Sequence, residues 1–171
     1  MVNHPDDAES VRIAVDLEAM PAPAAVKATA REVRERQSLV GRSLTALAEA
    51  AGGKDNPLAA TGGRGVVLYA WATWSPGSIA LARRLPQLVP AGVTLIGVNL
   101  DTDLAAAKSL AQGESLPGEQ LYDEHGMAGP LALALKLTAA PQLYVADKTG
   151  VIRAVTADRG NISAKLAAAV R

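Results

Sequence analysis

Two short apolar runs, VVLYAW at 66–71 and GVTLIGVNL at 92–100, constrain this chain more than any other feature. Both are β-rich and neither has helical spacing, which is the pattern of interior strands in a sheet covered on two faces. Between them, SIALARRL at 78–85 has the amphipathic spacing of a helix, with Pro86 expected to stop it. Strand, helix and strand at this separation form a βαβ unit, so the two strands are expected to be parallel.

The rest of the chain continues in short elements. DTDLAAAKSLAQG (101–113) reads as a helix with Asp and Thr at its start and Gly at its end, and GPLALALKL (129–137) as another opened by proline. PQLYVAD (141–147) and VIRAVTA (151–157) read as strands joined by a tight Lys-Thr-Gly hairpin, and NISAKLAAAVR (161–171) as a closing helix capped by Asn161. Upstream, VRIAVDL (11–17) reads as a short extended segment and MPAPAA (20–25) as a linker. From Ala24 to about Ala51, residues such as Val26, Ala30, Val33, Leu44 and Leu47 recur at helical spacing, interrupted at Gly41. Arg31 with Glu35 and Glu32 with Arg36 are spaced for pairing on the other side of that helix. GGKDNP (52–57) and TGGRG (61–65) read as loop. The expected organisation is an extension, mainly helical, over 1–59 and a compact α/β domain over 60–171.

Composition narrows the partners. The 171 residues are 49% hydrophobic, and the 17 basic and 17 acidic side chains cancel, so no net field draws the chain to nucleic acid. No apolar run is long enough to span a membrane, and MVNHPDDAES lacks the charged-then-apolar pattern of an export signal. Phenylalanine is absent, so Ala, Leu and Val must fill the core. Cysteine is absent as well, which excludes disulfides, thiol nucleophiles and thiolate metal sites.

Against that background, VVLYAWATWSPGS (66–78) resembles the strand and active-site turn of the TlpA/ResA-type thiol-disulfide oxidoreductases, relatives of the AhpC/TSA proteins. Trp71, Ala72, Thr73 and Trp74 match the flank, and Pro76 and Gly77 match the two inner positions. Ser75 and Ser78 stand where the family has both cysteines of its Cys-x-x-Cys. A second block, LYDEHGMAGPLALALKLTAAPQLYVADKTGVIRAV (121–155), resembles that family's helix, cis-proline loop and hairpin, with Pro141 as the cis-proline and Ala140 before it. The resemblance covers about residues 60–171 and implies a thioredoxin-like α/β/α sandwich with a mixed sheet; the upstream helical part is similar to the extension some members carry. It also implies a groove of Trp74, Ser75, Pro76, Gly77, Ala140 and Pro141 facing a polypeptide partner or disulfide-containing protein, no cofactor, and a place outside the cytoplasmic membrane.

The family's chemistry depends on a cysteine at a helix N-terminus, where orphan N–H groups and the macrodipole stabilise the thiolate. That thiolate attacks a disulfide, and the second cysteine one turn on resolves the intermediate. Serine stays protonated at neutral pH and has no disulfide state. Two origins fit: a natural redox-silent relative, or an active oxidoreductase whose thiols have been replaced. Ala70, Leu81 and Pro86 also depart from the family pattern, which favours the first.

Rival readings of the same residues are weaker. A serine hydrolase needs a histidine base, and only His4 and His125 exist; Ser75 reads instead as the N-cap of a helix with Pro76 at N1. Asp101, Asp103, Asp123, Glu124 and His125 read as helix caps and solvated loops and not as metal ligands. The glycines of TGGRG precede a strand, whereas phosphate loops follow one. Trp71 is expected in the core and Trp74 partly over the turn.

Overall fold

The computed structural model describes residues 5–51 and 63–156. The closing helix expected over 161–171, with its Asn161 cap, lies outside the described residues, as does His4. Five strands form one sheet: β1 (Val66–Trp71), β2 (Thr94–Asn99), β3 (Glu119–Leu121), β4 (Gln142–Ala146) and β5 (Ile152–Thr156), in the order β3-β2-β1-β4-β5. β1 pairs with β2 in parallel, as the βαβ pattern requires, and β2 pairs in parallel with β3. β4 runs antiparallel to both β1 and β5. This mixed sheet between helices is the thioredoxin-like sandwich.

β1 is central, and all six of its residues are buried. Because side chains alternate across a strand, Val66, Leu68 and Ala70 enter one core while Val67, Tyr69 and Trp71 enter the other. The first core is closed by Leu44 and Ala48 of α3 (Leu44–Ala50) and by Ala132 of α6 (Pro130–Ala134) with Leu135 just beyond it. The second is closed by Leu81, Ala82 and Leu85 of α4 (Pro76–Leu88) and by Ala107 and Ala111 of α5 (Leu104–Gly113). Without phenylalanine, the large interior volumes are filled by Trp71, Tyr69 and Tyr144. Each buried polar tip has a partner; Tyr144, for example, donates its hydroxyl to the Leu135 carbonyl.

Several elements differ from the sequence reading. Residues 11–17 lie within a helix, α1 (Pro5–Ala19), and not an extended segment. Val11, Ala14 and Leu17 are also spaced for a helical face, and packing against α2 (Ala24–Gln37) selects that alternative. The break at Gly41 is real: its φ is +90°, and the chain turns there between α2 and α3. Of the two i,i+4 pairs, Glu32–Arg36 forms, at 3.5 Å. Pro86 lies inside α4 and does not stop it. As the third residue from the C-terminal end, it costs one hydrogen bond by its missing N–H in a last turn that frays in any case. The helix expected over 129–137 is a single short turn, because Lys136 takes a positive φ and ends it. The three-residue β3 was not anticipated.

The segment after α2 closes one sheet edge. Gly41 N–H donates to the Ile152 carbonyl, Ile152 N–H to the Arg42 carbonyl, and Leu44 N–H to the Gly150 carbonyl. Gln37 adds a side-chain bond to the Val155 carbonyl at 2.8 Å.

Candidate functional site

The turn between β1 and α4 is held from three sides. Asp101, 6% exposed just after β2, accepts from Thr73 N–H at 2.9 Å, from the Thr73 hydroxyl at 2.7 Å and from Asn99 Nδ2 at 2.7 Å. It is a buried clamp on the Ala72–Trp74 turn and not a helix cap or a solvated carboxylate as its sequence context suggests. Asp103 does cap α5, accepting from Ala106 N–H. Asp123 accepts from the backbone and ring of His125.

Beneath the turn, Trp71 is fully buried and donates its indole N–H to Gln120 Oε1 at 2.9 Å, with Tyr122 edge-on at 6.4 Å. The Gln120 amide donates in turn to the Tyr69 hydroxyl and to the Pro117 carbonyl, and Tyr69 donates to that same carbonyl. Gly97 of β2 makes this possible, since a Cβ there would lie 2.0 Å from Gln120 Oε1. Burial pushes the Tyr69 phenol up to about 12, opposed in part by the Gln120 bond. An unfolded phenol ionises near 10, so this group's contribution to stability is complete below pH 10 and is lost between pH 10 and about 12. Thermal midpoints measured across that range are expected to fall with rising pH, and Tyr69→Phe is expected to flatten the slope.

The two serines occupy different environments. Ser75 stands at the N-cap position of α4 with Pro76 at N1, yet its hydroxyl makes no cap bond. It donates instead to the Ala140 carbonyl at 2.9 Å, which corrects the capping role read from the sequence. Ser75 is 8% exposed and faces the loop that carries the cis Ala140–Pro141 peptide bond. Ser78, one turn on and 1% exposed, turns inward: it accepts from Ala72 N–H and donates to the Ser75 carbonyl at 2.6 Å. Among the described residues neither hydroxyl bonds to a histidine; the His125 ring pairs with Asp123. Trp74 is 55% exposed at the mouth of α4, more open than the sequence reading placed it. Pro76 is exposed beside it, and Gly77, Ala140 and Pro141 are half-buried.

The AhpC/TSA family profile matches residues 42–155, which takes in the turn, the clamp and the cis-proline loop. The chain belongs to the AhpC/TSA family. Within that family it is similar to the thiol:disulfide interchange protein DsbE of Escherichia coli K12, 35% identical over 94 residues, covering 54% of this chain and 49% of the relative. DsbE of Vibrio cholerae is 34% identical over 92 residues, covering 53% and 48%. The chain thus spans about half the length of the curated relatives it matches.

Among solved structures, this AhpC/TSA protein shares its fold with a secreted Mycobacterium tuberculosis disulfide oxidoreductase described as homologous to E. coli DsbE. That pair has a TM-score of 0.53 at 23% identity, over 64% of this chain and 85% of the other. A Bacteroides fragilis thiol-disulfide oxidoreductase gives 0.55 at 22% identity, over 62% and 81%. These comparisons agree with the TlpA/ResA-type resemblance. The structure brings Ser75 against the proline loop at Ala140, with Trp74 open at the helix mouth and Ser78 turned inward, and it adds Asp101 and Gln120, which sequence reasoning did not place there. The one available signal for Asp101 was its place directly after an interior strand.

Proposed function

We propose that this chain is a redox-silent member of its family that holds an extended polypeptide against Trp74, Ser75, Pro76, Gly77, Ala140 and Pro141 without reacting with it. The observation that carries the reading is Trp74: a large aromatic side chain left 55% exposed beside a half-buried loop. Exposed aromatics of this kind anchor binding surfaces. The hydroxyls at 75 and 78 supply no thiolate and no disulfide state. The fit to secreted and interchange-type relatives supports a place outside the cytoplasmic membrane and a protein partner.

Titration with unfolded peptides, with and without cysteine, tests the reading. Trp74→Ala is expected to weaken binding about tenfold or more, the effect of losing about 1.4 kcal/mol. Equal affinity for the parent and the variant at saturation sinks the proposal. A second reading, a reductase whose thiols have been replaced, is favoured by the retained helix N-terminus at Ser75 and by the resemblance to DsbE.

A further inference from the structure

The segment that leads into the proline loop is gripped by a helix from outside the family match. Among the described residues, backbone bonding there pauses after Leu137 N–H, which donates to the Ala132 carbonyl, and resumes at Gln142, which pairs with Ala70. Side chains hold the stretch between. The Ser75 hydroxyl takes the Ala140 carbonyl from one side. From the other, Arg36 Nη1 of α2 donates to the Thr138 hydroxyl at 2.6 Å, and that hydroxyl donates to Glu32 Oε2 at 3.2 Å. Arg36 and Glu32 also pair, at 3.5 Å, so the three side chains close a triangle. Lys136 Nζ adds a bond to the hydroxyl of Ser38, the C-cap of α2, at 3.3 Å.

The triangle can act on the backbone. Its short bond is charge-assisted, and the Arg36 side chain that makes it is only 14% exposed. Threonine is β-branched and stiff at χ1, so fixing its hydroxyl fixes the chain two residues before Ala140. The support is itself anchored: Gln37 bonds the Val155 carbonyl, and Leu39, 2% exposed, sits in the core. The family profile begins at residue 42, after α2 has ended. This grip is therefore an addition of the extension to the domain.

We infer that α2 positions the proline loop, with Arg36 as a positioning residue that acts through Thr138 and sets how tightly the groove at Trp74, Ser75, Ala140 and Pro141 holds a polypeptide. The effect on affinity rests on the reading of that groove as a polypeptide site. A loop released from Arg36 visits positions in which Ala140 no longer faces Ser75. Apparent affinity then falls with the fraction of molecules in the competent position.

Two measurements on the full chain test this. In the free protein, backbone NMR order parameters at Ala139 and Ala140 are expected to fall from about 0.85 toward about 0.6 in Arg36→Met and in Thr138→Val, with β1 unchanged. In titrations with carboxymethylated insulin B chain, an unfolded polypeptide without free thiols, each variant is expected to bind about threefold to tenfold more weakly than the parent. Thr138 is exposed, so the melting curve of Thr138→Val is expected to match the parent's. Both changes together are expected to cost no more affinity than one, because both break the same bond. Arg36→Lys, which returns a donor to Thr138, is expected to recover most of the affinity. Unchanged order parameters overturn the inference, as do losses that add in the double variant or a loosened loop with parental affinity. A parent that binds no peptide sinks the reading of the groove, and the order parameters alone then decide the positioning role.

Discussion

A chain carrying Ser75→Cys and Ser78→Cys is expected to reduce insulin disulfides, against no turnover for the parent sequence. Two features of the scaffold suit that chemistry. Position 75 lies at the N-terminus of a 13-residue helix with its side chain turned to the cis-proline loop. A thiol placed there meets the positive end of the helix and is acidified relative to a free cysteine. Position 78 is one turn on and more deeply buried, 1% exposed against 8% at position 75, as suits a resolving thiol. The single Ser75→Cys variant is expected to form mixed disulfides and accumulate them, and Ser78→Cys alone to react slowly because it is 1% exposed. The insulin turbidity assay is the measurement. A folded double variant that forms the 75–78 disulfide and still fails to turn over shows that more than the sulfurs has been lost, and it counts against the reading as a disabled reductase.

Asp101→Ala is expected to lower stability by about 3–4 kcal/mol, enough to move the melting midpoint by roughly 6–16 °C. The carboxylate accepts three hydrogen bonds while nearly inaccessible to water. Removing it strands the Thr73 N–H and the Asn99 amide in the interior, and stranded buried donors cost more than the net value of the bonds. Asp101→Asn keeps the shape but must present one amide nitrogen toward a donor, so about half of that loss is expected. Circular dichroism melts check both. A drop under 1 kcal/mol for the alanine variant means the turn at Thr73 holds itself.

The contrast between Asp101 and the strands shows where legibility ended. β1 and β2 were readable because a strand buried on both faces carries a continuous apolar run that no other element of that length needs. The hairpin and the Gly41 break were readable from local turn chemistry. Ser75, Ser78, Trp74 and Pro141 were readable only because a familiar pattern surrounds them. The contacts that position them are non-local: Thr73 meets Asp101 across 28 residues, and Trp71 meets Gln120 across 49. No periodicity records such meetings. At 11–17, period-two and helical spacing coexisted, and only the presence of α2 alongside decided between them. β3 has three residues, too few to show any period.

The closed sheet edge has a consequence for how this protein comes to be folded. Gln37 reaches Val155 across 118 residues of chain, and the Gly41–Leu44 backbone pairs with a hairpin synthesised long after it. The early helices therefore emerge with their docking strand still unmade, and the loop-closure entropy of nearly the whole domain must be overcome before they seat. Until then α3 has its apolar face in water and β5 has a bare edge, the kind of surface on which nascent chains aggregate. Seating of the N-terminal segment is thus a late, cooperative event in folding, and a truncation that removes it leaves the finished sheet open to pairing with other chains.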